Sequence, residues 1–402
     1  MAQNISIPKH WKLVRVGEYV ISVKGKKPKR ISSIKSSECS VPYVNIKAFE
    51  KNVIDEFTDG VGCVLCEEGD FLMVWDGSRS GYVGKAIKGA LGSTLVKLKF
   101  PDIDTNYAYY FLQSKYIEIN TRAKGVGIPH VDPNILWNYY LPIPPIQEQK
   151  SIVSKIEELL SDLENGKQQL LLAQQQLKVY RQSLLKWAFE GKLTNSNVND
   201  KLPKGWKWIK LGDVCHNVEY GSASKSKKIG KVPVLRMGNI QNGKFNWDDL
   251  VFTDDKAEIK KYLLKKDDVL FNRTNSAELV GKTAIYKGER EAIFAGYLIR
   301  INRINSLIDA SYLTYFLNTH FAKRYGNSVR SFGVNQSNIN GTKLKTYPIP
   351  LCTLTEQQLI VEELESKLTV CDKIEETINQ SLQQAETLRQ SILKKAFEGR
   401  LV

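Results

Sequence analysis

RQSLLKWAFEGKL (181–193) returns 208 positions later as RQSILKKAFEGRL (389–401). Agreement of this quality inside one chain marks a duplicated structural unit. Upstream of each copy stands a proline-rich stretch closing on Glu-Gln: LPIPPIQEQ (141–149) and YPIPLCTLTEQ (347–357). The distance from Glu-Gln to Ala-Phe-Glu-Gly is the same in both copies, as expected of one unbroken helix. The lead-in to each half also repeats, as IPKHWKLVRVGEYV (7–20) and LPKGWKWIKLGDVC (202–215). Between these anchors the halves diverge, leaving sparse echoes such as VGKAI and VGKTAI.

The helices carry a coiled-coil pattern. Val153, Ile156, Leu160, Leu163, Leu170, Leu177, Leu184 and Ala188 follow alternating three-four spacing, interrupted by Lys167, Gln174 and Arg181. Val361, Leu364, Leu368, Cys371, Ile378, Leu382, Ala385, Ile392 and Ala396 follow the same register, broken by Glu375 and Arg389. From Gln149 to Trp187 such a helix is about 57 Å long. The chain ends at Glu398-Gly399-Arg400-Leu401, where its own beginning would follow in the pattern of the first half. This order predicts a nearly cyclic, pseudo-two-fold arrangement. The fold class is mixed α/β, with two globular α/β domains separated and connected by two long antiparallel helices. The expected boundaries are a first domain at 1–146, a central helix at 147–194 and a linker at 195–201. A second domain at 202–354 and a C-terminal helix at 355–402 complete the chain.

Within the domains, VPYVNI, DFLMVW and STLVKLKF read as strands in the first, and VPVLRM, DVLFNR and YLIRINR in the second. Amphipathic helices are predicted at 105–121 and 310–325, their apolar stripes being ordinary core.

The net charge is +15, from 58 Lys and Arg against 43 Asp and Glu. An excess of this size favours a polyanionic partner, with nucleic acid ahead of an anionic membrane. No apolar run is long enough for a membrane span, and MAQNISIPKHWKLVRVG lacks a signal core. A cytoplasmic protein is expected. Six scattered cysteines suit reduced thiols. Cys63-Val-Leu-Cys66 has zinc-like spacing but no second ligand pair and reads as structural. The four histidines form no i, i+4 pair, no phosphate-binding glycine loop is present, and Asp249 with Glu258 and Lys260 only loosely echoes a nuclease set. No catalytic or metal residue is assigned.

Two basic loops follow the first strand of each domain: Lys24, Lys26, Lys27, Lys29 and Arg30, and Lys225, Lys227, Lys228 and Lys231. One such loop alone reads as a solvated charge run. Recurrence in both halves turns the reading towards phosphate contacts, and about three phosphates per loop predict a log–log salt slope of about −5. Base reading needs donors and acceptors at base edges. The candidates are Ser78, Arg79 and Ser80 in the loop opened by Asp76, and Asn272, Arg273 and Asn275 in its counterpart. A second pair of loops precedes each hinge, with His130 in one and Arg330, Asn335 and Gln336 in the other. Arg suits guanine and Asn suits adenine in bidentate pairs. Each of these loops also reads as a plain turn.

The proline-rich hinge with Glu-Gln, the long helix ending in Ala-Phe-Glu-Gly-Lys/Arg-Leu and the Pro-Lys-x-Trp lead-in occur in duplicate and in order. Over essentially the whole chain this pattern resembles the specificity subunit of type I restriction-modification systems. The second hinge departs slightly, with Leu351-Cys-Thr-Leu-Thr in place of a tighter Pro-Pro run. The resemblance implies that each variable domain reads one half of a split, asymmetric site on double-stranded DNA, and that the helices set the unread gap. It implies docking of two methyltransferase subunits, which carry S-adenosylmethionine and methylate adenine. Separate restriction-translocase subunits use ATP and magnesium. No cofactor is implied for this chain itself, which supplies specificity and not turnover. The alternatives are a solitary DNA-binding or chromosome-organising protein and a nuclease; neither accounts for the cyclic duplication as well.

Overall fold

The computed structural model of the chain describes residues 7–125, 127–195, 202–333 and 336–402. They form two compact units, Met1–Leu171 with Asn379–Val402, and Leu172–Ile378.

In the first unit the strand Phe71–Val74 is buried at every position. Its two faces serve two cores, which is why it reads as a continuous apolar run instead of alternating. Phe71 and Met73 join Tyr107, Phe111 and Leu112 of the helix Thr105–Thr121, while Leu72 and Val74 join Val44, Phe49 and Leu91. Around it lies an antiparallel sheet in the order Ile21–Lys24, Leu95–Lys99, Phe71–Val74, Val83–Lys85. A second sheet has the order Phe57–Thr58, Val41–Val44, Gly89–Leu91, Leu65–Cys66, with Val41–Val44 parallel to Gly89–Leu91.

The second unit repeats this plan. Val269–Asn272 lies between Leu298–Arg303 and Thr283–Ile285, with Cys215–Tyr220 at the edge. Val232–Leu235 pairs antiparallel with Val251–Thr253 and parallel with Ile293–Phe294. The strands and the first helix lie where the hydrophobic pattern predicts. The helix predicted at 310–325 differs: it is two helices, Ala310–Leu317 and His320–Val329. Asn318 turns its side-chain amide to the carbonyls of Thr283 and Thr314, and the Thr319 hydroxyl accepts the Ala322 N–H at 3.1 Å as a new N-cap. The apolar stripe continues across the break, so periodicity alone did not reveal it.

The repeated motifs are now explained by contacts. Each lead-in strand pairs with its hinge strand, Lys12–Arg15 with Tyr140–Ile143 and Lys207–Lys210 with Pro348–Leu351. The glutamine of each Glu-Gln is buried and bonded at both ends. Gln149 accepts the Asp104 N–H at 2.8 Å and donates to the Pro144 carbonyl at 2.9 Å. Gln357 accepts the Asp309 N–H at 2.8 Å and donates to the carbonyls of Cys352 and Leu307. Buried Tyr107 and Tyr312 donate their hydroxyls to the carbonyls of Pro142 and Pro350.

The long helices run Ile146–Phe189 and Leu354–Phe397, 44 residues each. At 1.5 Å per residue each is about 66 Å long. The seam positions named above are buried or half-buried in both. In the second unit Arg181 reaches Asp372 at 2.8 Å and Glu375 at 3.0 Å, and Asn195 reaches Glu356 at 3.2 Å. Partner numbers fall as helix numbers rise, so the helices are antiparallel there. In the first unit Ile152, Val153 and Ile156 share one core with Leu393, Ala396 and Phe397. Phe397 packs edge-on against Tyr107 and Phe111, as Phe189 does against Tyr312 and Phe316. The end of the chain thus completes the core of the first domain, which is the cyclic closure that the repeat order predicts.

Candidate nucleic-acid interface

The strand Phe71–Val74 delivers the chain into the loop opened by Asp76. There Asp76 bridges His130, which also bridges Lys124. Gly77 donates to the Pro129 carbonyl at 2.7 Å and Val131 to the Trp75 carbonyl at 2.9 Å. Lys24, closing the strand Ile21–Lys24, donates its ammonium to Asp76 at 2.8 Å. Three segments distant in sequence, the basic loop and both candidate reading loops, are therefore tied together at Asp76.

The second unit gathers its counterparts in the same way. Thr274–Asn275, Ser337–Asn338 and Ser331–Phe332 form a small three-stranded sheet. Arg273 donates its N–H to Tyr297 and accepts from Ile339. Its guanidinium lies 4.7 Å from the Tyr220 ring and donates to the Gly296 carbonyl. The glycine opening each basic loop is forced: a Cβ on Gly25 would overlap the carbonyls of Leu91 and Gly92, and on Gly221 those of Phe294 and Ala295.

The predicted residues separate into distinct roles. Lys26, Lys27, Lys29 and Arg30 are exposed, and among the described residues none of them is in an ion pair. Lys225 and Lys228 are the same. Lys227 pairs with Asp254 at 3.3 Å, and the Lys231 backbone donates to the same carboxylate. Arg79 pairs with Glu50 at 3.1 Å and stacks 4.0 Å over the Tyr82 ring, a posture that fixes its guanidinium. Exposed Ser78 gives its carbonyl to Asn120 at 3.0 Å. The Asn275 carbonyl oxygen of the side chain accepts the Ser276 N–H. Arg330 donates to Ala277 and Asn327 and lies 5.0 Å from the Phe332 ring. Gln336 is exposed and its carbonyl accepts from Gly333. Asn335 lies outside the described residues.

Two of the expected base readers are corrected. Ser80 and Asn272 are both 0% exposed. Ser80 gives its carbonyl to Asn120, and Asn272 uses its side chain on Thr274 and Leu279. Both brace the loops from inside: Asn272 is the last residue of the buried strand that delivers its loop, and Ser80 stands beyond its loop where Asn120 of the helix Thr105–Thr121 holds it. Asn120, Tyr220 and Tyr297 escaped the sequence reading. Asn120 holds Ser78 and Ser80 from a helix 40 residues away, and only the fold brings it there. Cys66 is buried with its thiol on the carbonyls of Ile87 and Gly89, and burial pushes it up to about 11.

The model of the type I restriction modification DNA specificity domain matches residues 8–173 and again 203–384. The MjaVIII type I restriction enzyme specificity subunit of Methanocaldococcus jannaschii is 28% identical over 99% of this chain and 94% of its own. The StySPI specificity subunit of Salmonella potsdam is 32% identical over 78% of this chain and 68% of its own. Among solved structures, a chain from a type I R-M system studied for complex assembly and conformational transition has a TM-score of 0.76 at 20% identity, covering 98% of this chain and 99% of that one. The HsdS subunit of Thermoanaerobacter tengcongensis has a TM-score of 0.57 at 19% identity, covering 98% of both. These two likenesses concern the fold. No described helix is long and apolar enough to cross a membrane. With a specificity domain matched in both halves and relatives of the same kind along its length, the chain belongs to the family of type I restriction-modification DNA specificity subunits.

Proposed function

We propose that this subunit reads a split, asymmetric sequence in double-stranded DNA, one half-site per globular domain. The observation that carries this reading is the duplicated loop cluster: in one domain Asp76 ties the start of the basic loop to both polar loops, and in the other Thr274 pairs the two polar loops while Arg273 lies over Tyr220, which leads into the basic loop. The scaffolds match while the loop residues differ, as two readers of different half-sites require. Exposed cations supply the sequence-independent contact, and Arg79, Arg273, Asn275, His130, Arg330 and Gln336 supply polar groups near it. The paired helices act as the spacer that sets the unread gap and dock two methyltransferase subunits. Those subunits bring S-adenosylmethionine and methylate adenine, and restriction-translocase subunits bring ATP and magnesium. This chain binds none of the three.

The test is single-molecule sequencing of modified bases in DNA from cells expressing this chain with and without its methyltransferase partner. Adenine methylation at one split motif, only when both are present, is the expected result. Methylation with no split motif despite a co-purifying partner would refute the reading.

A further inference from the structure

The two domains differ in sequence almost throughout, yet both hold a large apolar side chain out in solvent on the same hairpin. Ile128 is 69% exposed in the first and Phe332 80% in the second. The hairpin is the one bonded to the reading loop: His130 bridges Asp76 and Lys124, and Asn338 bridges Thr274 and Ser331. The same glycine recurs in both copies. Gly125 and Gly333, 208 positions apart, each face the carbonyl three residues on, and a Cβ would overlap it. The apolar residue follows the glycine in one turn and precedes it in the other, so what recurs is the apolar tip itself and not one aligned letter. One cation stands near each tip, and Lys124 of the first is paired with Asp132 at 2.9 Å. Arg330 lies 5.0 Å from the Phe332 ring with its guanidinium fixed on Ala277 and Asn327 at 3.0 Å, and Lys124 stands at the base of the other hairpin.

Such a tip contributes nothing to a core, and an alanine would fit the turn equally well. Beside phosphate-binding cations, the apolar surface within reach is the base stack. Phe and Ile inserted between base steps unstack and kink the duplex, and the cost of that deformation depends on the sequence deformed. We propose that Phe332 and Ile128 are wedge residues, each entering the base stack at its half-site and adding specificity through the step it opens. This rests on the DNA-reading assignment above.

The experiment uses the full chain with its methyltransferase partner. The duplexes carry the split site with 2-aminopurine placed at successive steps across one half-site. For the unaltered chain, fluorescence should change at one step besides the adenine that the methyltransferase flips. Phe332→Ala should abolish that change and weaken specific binding roughly 5- to 150-fold, the range of one base–aromatic contact. Binding to unrelated DNA and the salt slope should stay the same. Phe332→Leu, still a wedge, should keep the fluorescence change. Ile128→Ala should act likewise on the other half-site alone. Unchanged specific affinity in both alanine variants, or an equal loss on unrelated DNA, would overturn the wedge while leaving the reading of DNA intact. Failure of the unaltered complex to bind any split sequence would overturn the DNA-reading assignment, and the wedge with it.

Discussion

Gly399 rests against Pro8: the last turn of the chain meets its first described residues. Gly399 has φ +69°, and a Cβ there would overlap the Pro8 ring and press on Trp11. Gly191, φ +77°, stands in the same relation to Pro203, only twelve positions ahead of it. One glycine–proline contact thus occurs twice, once across a short connection and once between residues far apart in the sequence. The left-handed glycine is the ordinary way to end a helix; here it also provides the space for the following lead-in.

Gly399→Ala should therefore cost about 1–3 kcal/mol, from the left-handed backbone and the overlap together. Chemical denaturation followed by tryptophan fluorescence measures it. A loss below about 0.5 kcal/mol would mean that the C-terminal segment does not hold the first domain.

Gln357→Leu should destabilise the chain by about 3 kcal/mol. The change leaves the buried Asp309 N–H and the Cys352 and Leu307 carbonyls without their partner. The neighbouring Gln358 is exposed, and Gln358→Leu should change stability by less than about 0.5 kcal/mol. Equal effects of the two substitutions would contradict the role assigned to the Glu-Gln motif.

Gly166 lies inside the central helix, and a Cβ there meets nothing within 4 Å. Gly166→Ala should stabilise the chain by about 1 kcal/mol, because alanine loses less backbone entropy on entering a helix. A thermal midpoint that falls instead would show that the helix needs to bend at this point.

Lys26 and Lys27 are exposed and, among the described residues, outside any ion pair, whereas Lys24 is held by Asp76. Replacing Lys26 and Lys27 by Ala should weaken binding to all sequences alike and flatten the log–log salt dependence by about 2. Lys24→Ala should instead release Asp76 and disturb the first half-site. Filter binding at several salt concentrations, on specific and unrelated duplexes, separates the two patterns.

Asp254 pins the second basic loop. The Lys231 backbone N–H and the Lys227 ammonium hold its carboxyl below the usual carboxylate value. A depressed folded value means that the stabilisation is complete above the unfolded value of about 3.9 and is lost as pH falls through the folded one. Amide exchange at 227–231, corrected for intrinsic rates, should therefore quicken at acid pH ahead of the core strands. Asp254→Asn should show the quickened exchange already at neutral pH, with the acid dependence gone.

The duplication, the coiled-coil register, the two α/β domains and the cyclic order are all legible in the amino-acid sequence. They are periodic or repeated properties, and the physics behind them is local: helix pitch, side-chain alternation, a glycine beyond a helix end. The break at Asn318 was not legible, because the apolar stripe runs through it and only the Thr283 carbonyl opposite explains the turn. The candidate site divides in the same way. Sequence composition marked the loops, since Lys, Arg, Gly and Ser cluster there. Which loop residues face water was decided by strands far away in the chain, and so Ser80 and Asn272 turned inward while Ile128 and Phe332 stand out. Burial is a property of the assembled neighbours, and a residue's own letter does not contain it.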